Sequence, residues 1–515
     1  MYHAVVNLHS IARNAMANYG FIPDFSVKAL KDIKAFSPRN FVKNTALRDL
    51  RDILWCSIDN LESQDLDQIE FCELSPNREI RVWVAIADVD EYVQKHSACD
   101  KHAHNNGTSV YTGVDVFPML PRKLSHDLTS LMPGEDRFAV VIEYYVRKDG
   151  SVRYSGVFRA YVRNQAKLVY ESAGDWLEKK GDIPQAVRTI NGLEEQVRLQ
   201  DEAAQRLHGF RMSSGALELE TIEASPVLKD GNITGLTIKV KNRARYIIEN
   251  FMIAANQTMM WFLEKNDSPF IQRILRPPER WPKIVRIAED FGETLPETPD
   301  SHALSDFLIR RRAADPRRFS DLSLTVVKLL GFAEYTMTEP GKAAVGHFGL
   351  AVQDYIHSTA PNRRYVDVII QRLIKAVLAK EPIPYTKREL FEIAEWCTER
   401  TNAARKVERF MRKAAAALLL YRRIGEVFEG IVTGASEKGT YVRLISPPAE
   451  GRVIRGEKGM DTGEKVLVRL INVEPEEAFI DFERADFSGY VHMSTKGRNH
   501  DSHVSHIRRR RRRAR

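Results

Sequence analysis

Apolar and polar positions along the chain fall into three textures. From Leu8 to Tyr19 and from Val27 to Lys34 the apolar residues recur at three- and four-residue spacing. That pattern predicts two short amphipathic helices, broken by Pro23 and ended before Pro38. They make a helical arm over residues 1–45, too small to bury a core of its own. From about Asp49 the texture is mixed. VWVAIADV (Val82 to Val89) has the apolar run of a buried strand, whereas IIENFMIAANQTMMWFL (Ile247 to Leu263) is too long for a strand and reads as an apolar helix. Because no repeat runs through this stretch, the expectation is one large α+β body over residues 46–385.

Thr386 and Glu389 have the spacing of a capping box, and the residues through Arg423 keep a helical period with a strongly basic second half. A helix over 386–423 should therefore join the body to the C-terminal segment. From Gly425 the texture changes again. VFEGIVTGAS, GTYVRLI, EGRVIRG, KVLVRLINV and AFIDFE are five short strands separated by Gly and Pro turns, which predicts a small all-β barrel of OB type over 424–485. Such barrels often bind single-stranded nucleic acid, although fold alone does not establish it.

Composition narrows the classes. With 43% hydrophobic and 28% charged residues, and no apolar run near the ~20 residues that span a bilayer, no membrane-embedded role is expected. The opening MYHAVVNLHSIARNAMANYG lacks the build of a secretion signal, so a cytoplasmic location is expected. Cys56, Cys72, Cys99 and Cys397 are scattered without a CxxC pair, as reduced structural thiols are. Lys and Arg outnumber Asp and Glu by 77 to 69, a balance compatible with a polyanionic partner. Part of the excess lies in Arg508 to Arg513. Six adjacent arginines repel one another and build no core, which predicts a disordered basic tail over 486–515 that either attracts phosphates or is merely solvated.

The chemistry concentrates in SIDNLESQDLDQIEF, where Asp59, Asp65 and Asp67 fall within nine residues, with Glu62 among them. Carboxylates this close repel by about 4 kcal/mol per pair at ~4 Å and an effective dielectric of ~20, so a convergent cluster needs a counter-charge. Hard oxygen ligands point to Mg²⁺ or Mn²⁺, whereas a solvated acidic loop is the ordinary alternative. A metal-assisted nuclease also needs a cation for the phosphate. HFGLAVQDYIHSTAPNRRYVD offers Arg363 and Arg364, of which surface solvation is again the plain reading.

Taken together, SIDNLESQDLDQ, IADVDEYV, GTSVYTGVDVFPMLPRKLS, AKLVYESAGDWLE, ENFMIAAN and HSTAPNRRYVD occur in the order of the ribonuclease II, or RNB, family. The chain resembles that family from about Asp49 to Glu483. The resemblance implies an α+β fold, with a large RNB-type catalytic domain followed by the OB-type barrel. It implies a 3′-to-5′ exonuclease that hydrolyses single-stranded RNA to nucleoside 5′-monophosphates with Mg²⁺ or Mn²⁺, working as a monomer. Asp59, Asp65 and Asp67 fall on the family's metal and catalytic carboxylates, and Arg363 on its catalytic arginine. Tyr111, Tyr170, Glu249 and Arg364 are implied to hold the substrate. Stacking on tyrosine suits any base, at ~1 to 3 kcal/mol each.

The chain departs from the family pattern in two ways. Gln68 stands where a fourth aspartate is usual, and the helical arm stands where long members carry cold-shock barrels. Two competing expectations remain: an RNA-binding protein that has lost catalysis, supported by Gln68, and a DNA exonuclease using the same metal chemistry.

Overall fold

The computed structural model describes residues 7–34, 47–220, 224–229, 232–238, 241–342, 345–352, 355–436 and 439–485. The expected basic tail over 486–515 lies outside them, as does the end of the arm over 35–46. Both arm helices form, α1 (Leu8–Asn18) and α2 (Val27–Lys34). Asn7 starts the first, its Oδ1 accepting from the N–H groups of His9 and Ser10 at 2.9 and 3.2 Å.

The body opens with β1 (Arg48–Asp59), β2 (Gln68–Leu74), β3 (Ile80–Ala87) and α3 (Ala98–Asn106). A two-by-two-residue hairpin, β4 (Val110–Tyr111) and β5 (Val116–Phe117), precedes the long strands β6 (Asp136–Val146) and β7 (Val152–Val169). Strands β1, β2, β3, β6 and β7 close into a barrel in that order, shut by the parallel pairing of β1 with β7. Closure explains the unbroken apolar texture of β3. Its Val84, Ala85, Ile86 and Ala87 are all buried, so neither face of that end of the strand meets water.

Helices α4 (Tyr170–Leu177), α5 (Gln185–Thr189) and α6 (Leu193–Ser213), the hairpin β8 (Ala224–Lys229) and β9 (Asn232–Ile238), and α7 (Arg243–Lys265) come next. Helix α7 lies on the barrel. Its Ile247, Phe251, Ala254, Ala255, Met259 and Leu263 are buried at the three- and four-residue spacing of one helix face. Beyond it come β10 (Phe270–Ile274), α8 (Trp281–Asp290), α9 (Ser301–Ala314), α10 (Pro316–Leu330), β11 (Glu334–Thr338) and α11 (Tyr365–Ala379).

Helix α12 (Lys387–Leu420) runs for 34 residues, about 51 Å at 1.5 Å per residue. Thr386 and Glu389 form the expected capping box at its start. Its far end enters a second closed barrel, made of β12 (Val427–Ser436), β13 (Gly439–Leu444), β14 (Glu450–Arg455), β15 (Lys465–Glu474) and β16 (Phe479–Arg484), ordered β12-β13-β14-β16-β15. Ala416, Ala417 and Leu420 of α12 pack into that barrel's core beside Phe428 and Phe482. Arg443 of the barrel meets Asp321 of α10 at 2.5 Å. No described helix is long and apolar enough to cross a membrane. All four cysteines are free and buried.

Candidate active site

The parallel register of β1 and β7 sets Asp59, the last residue of β1, opposite Val169. Tyr170 comes next as the first residue of α4, so two residues more than a hundred positions apart reach one place through strand pairing. The chain then turns. Ser63 Oγ donates to Asp59 Oδ1 at 2.8 Å, and Lys167 Nζ donates to the carbonyls of Leu61 and Ser63 at 2.9 and 2.6 Å. Leu66 is fully buried, and its N–H donates to Ser130 Oγ at 3.0 Å. These anchors make residues 60–67 a built turn instead of a solvated acidic loop. Glu62 stays exposed and outside the site.

Asp67 is the buried member of the cluster, 2% exposed. Its Oδ1 accepts from the N–H of Asn362 at 3.0 Å, and its Oδ2 faces Arg363 Nε at 3.3 Å. Burial pushes the Asp67 carboxyl up to about 7; Arg363 opposes the shift and the charge of Asp65 adds to it. Desolvation works against the Arg363 charge, yet Asp67, Tyr111, Asp65 and Asp59 around it outweigh that effect and hold the guanidinium more firmly protonated than usual. Arg363 therefore sees all three aspartates. Its side chain nevertheless keeps 49% of its surface open, room for an anion that Asp67 lacks. The neighbouring Asn362 is buried, with Oδ1 accepting from Thr129 Oγ1 at 2.6 Å.

The Tyr111 hydroxyl donates to Asp65 Oδ2 at 3.4 Å, and the residue is 40% exposed. Burial, and next the charge of Asp59, raise the Tyr170 phenol; the guanidinium of Arg245 packs over its ring at 4.2 Å. Arg245 was not legible as a site residue, although it sits one helical turn before Glu249 on α7. The structure does not bring Glu249 and Arg364 into the cluster. Glu249 pairs with Lys241 at 2.8 Å, and Arg364 commits its guanidinium to Asp367 at 2.8 Å.

Gln68 opens β2 opposite Ile86 and is buried. It contributes a neutral carboxamide where a further carboxylate would add charge. Among the described residues no three His, Cys, Asp or Glu side chains already converge as a metal cage. In donor type the set still fits a hard divalent ion. Carboxylate oxygens from three aspartates surround a single fixed guanidinium, and one of those carboxylates is held largely desolvated.

A family model for the RNB domain matches residues 47–380, and one for the RNase II-type exonuclease C-terminal S1 domain matches residues 426–485. The chain belongs to the RNB domain family. Among individual proteins it is similar to Ribonuclease R of Aquifex aeolicus, 29% identical over 501 residues covering 90% of this chain and 69% of that protein. Ribonuclease R of Thermotoga maritima is 28% identical over 443 residues, 84% of this chain and 61% of that protein. For Ribonuclease R of Escherichia coli the identity is 29% over 475 residues, 84% of this chain and 57% of that protein. The chain thus spans well under the full length of these relatives. In fold it matches the apo form of Mycoplasma genitalium RNase R with a TM-score of 0.82 at 22% identity, over 93% of this chain and 78% of that one. It also matches yeast Ssd1, a pseudonuclease, with a TM-score of 0.67 at 15% identity, over 90% of this chain and 58% of that one.

Proposed function

We propose that this chain is a hydrolytic 3′-to-5′ exoribonuclease that shortens single-stranded RNA to nucleoside 5′-monophosphates with the help of Mg²⁺ or Mn²⁺. The observation that carries the reading is the pair of Asp67 and Arg363: a desolvated carboxylate fixed 3.3 Å from a guanidinium that is half open. Asp59, Asp65 and Asp67 are the residues that would hold the ion. When bound, such an ion supplies an activated water and charge at the leaving oxygen.

The chain's own residues do the rest. Asp67, immobilised by the Asn362 N–H and by Arg363, orients the attacking water. Arg363 receives the phosphate through its open side and stabilises the charge that builds on it, a role that suits the planar fork of arginine. Tyr111 and Tyr170 offer faces on which bases stack whatever their identity. Glu249, one turn of α7 beyond Arg245, is assigned with Tyr170 to holding the terminal nucleotide, for which it would give up its pairing with Lys241. Arg364 serves from behind, its bond to Asp367 fixing the loop that carries Arg363.

A second reading, an RNA-binding protein without catalysis, is favoured by Gln68 and by the fold shared with a pseudonuclease. A time course on 5′-labelled single-stranded RNA and its DNA counterpart, with Mg²⁺, Mn²⁺ or EDTA, separates them. Progressive, metal-dependent shortening of RNA alone is expected. Tight RNA binding without shortening under either metal would select the second reading, and equal shortening of DNA would reject the ribose preference.

A further inference from the structure

The hairpin that carries Tyr111 cannot hold its own shape. Its strands are two residues each, paired Val110 with Phe117 and Tyr111 with Val116, far below what a hairpin needs to stand alone in water. Alternation along β4 sends Val110 inward, fully buried, and leaves Tyr111 outward at 40% exposure. The inward face is shared. Val110 and Phe117 lie in one apolar cluster with Leu8, Ile11 and Met16 of α1 and Met411 of α12.

Polar contacts grip the same segment at both ends. At the far end His9 of α1 bonds Asp115 through Nδ1 at 2.6 Å. At the near end the carboxamide of Asn106 accepts from the N–H of Ile22 at 3.0 Å and donates to its carbonyl at 2.9 Å. Buried Arg400 of α12 donates to the carbonyls of Tyr19 and Gly20, which locks the arm against the helix. Between these grips the segment reaches the catalytic groups. The N–H of Ser109 and the hydroxyl of Thr108 both donate to the Arg363 carbonyl at 3.0 Å, the Tyr111 N–H donates to Glu408 Oε1 at 3.2 Å, and the Tyr111 hydroxyl reaches Asp65.

We propose that the N-terminal helix α1 is a working part of the active site, a positioning element that holds residues 106–117 so that Tyr111 stands over Asp65. Helix α1 thereby sets how firmly the nucleotide beside the reacting phosphate is clamped. The inference rests on the exoribonuclease reading and on the stacking role given there to Tyr111. Its residues act through the hairpin and touch no substrate.

A double-mutant cycle tests it in the full chain, with KM and kcat measured on a short single-stranded RNA and melting curves recorded for every variant. Tyr111→Ala and Ile11→Asp are each expected to raise KM about tenfold, within the range of one lost base–aromatic stack, with kcat changed much less. The double variant should be no worse than Tyr111→Ala alone, because α1 acts through that ring. His9→Ala, which leaves the apolar seam intact, should raise KM about threefold without lowering the melting temperature, the size expected of one exposed pair. His9→Gln, which keeps a donor, should recover most of that loss.

Arm variants with wild-type KM beside an impaired Tyr111→Ala would overturn the inference and leave the functional reading standing. So would a double variant whose KM is the product of the two single effects. A Tyr111→Ala protein with wild-type KM would remove the stacking role itself and the inference with it.

Discussion

Asp67 and Glu70 stand three residues apart at the start of β2, both buried, and their surroundings give them opposite fates. Asp67 keeps a cation and a backbone donor, which is why a carboxyl that burial pushes up to about 7 remains available as an anion near neutral pH. Neither carboxyl oxygen of Glu70 has a hydrogen-bond partner among the described residues. Burial, and next the charge of Asp59, hold it well above the usual carboxylate range, so it sits in the barrel as a neutral acid. A buried polar group left unpaired costs about 1–3 kcal/mol, whereas an apolar side chain of similar shape does not. Glu70→Met is therefore expected to raise the melting temperature by the equivalent of about 1–2 kcal/mol in thermal unfolding followed by circular dichroism. A lower melting temperature would mean that Glu70 has a bond that supports the barrel.

Elements differ in how far they were legible. Helices α7 and α12 could be read because their signals are local: an apolar period over some twenty positions, and a capping box at Thr386 and Glu389. Closure of the first barrel could not be read, since β1 pairs with a strand about 110 positions later and no residue in either segment announces the partner. The same holds within the site. The aspartates and Arg363 were visible as charge, and the resemblance added Tyr170, but the nearness of Tyr170 to Asp59 depends on the β1–β7 register and its contact with Arg245 on the packing of α4 against α7. Arg364, expected to hold substrate, is instead committed to Asp367 one helical turn on, a pairing its sequence neighbourhood does not announce. The second barrel was legible as five turn-bounded strands, but its sharing of a core with the end of α12 and its Arg443–Asp321 tie to α10 were not. Removing residues 425–515 is expected to weaken RNA binding and flatten its salt dependence while cleavage survives. Fluorescence anisotropy across a salt series checks this, and a truncated protein with wild-type affinity and slope would refute it.

For the whole molecule three histidines with desolvated rings set a lower pH limit. His102 and His347 are each pushed down to about 4, chiefly by burial, and His357 falls well below its ordinary value for the same reason. Their bonds suit neutral rings: His102 Nε2 is bonded to Asn106 Nδ2 at 3.1 Å, and His347 Nδ1 accepts from the Leu350 N–H at 3.2 Å. Because the folded values lie below the unfolded value of about 6.5, the unfolded chain takes up protons first as the pH falls. Stability is thus full above about pH 6.5 and declines from there toward 4. Melting temperatures should fall between pH 7.5 and pH 5, and His102→Gln should make that fall smaller; a flat profile would contradict the assignment. In the proposed chemistry one carboxylate matters above the rest. The direct test is to compare Asp67→Asn with the wild type on the same 5′-labelled RNA with Mg²⁺, measuring binding separately. Affinity should be nearly unchanged and the rate of shortening reduced on the order of 10³-fold or more; an Asp67→Asn protein that shortens RNA at the wild-type rate would place the chemistry elsewhere.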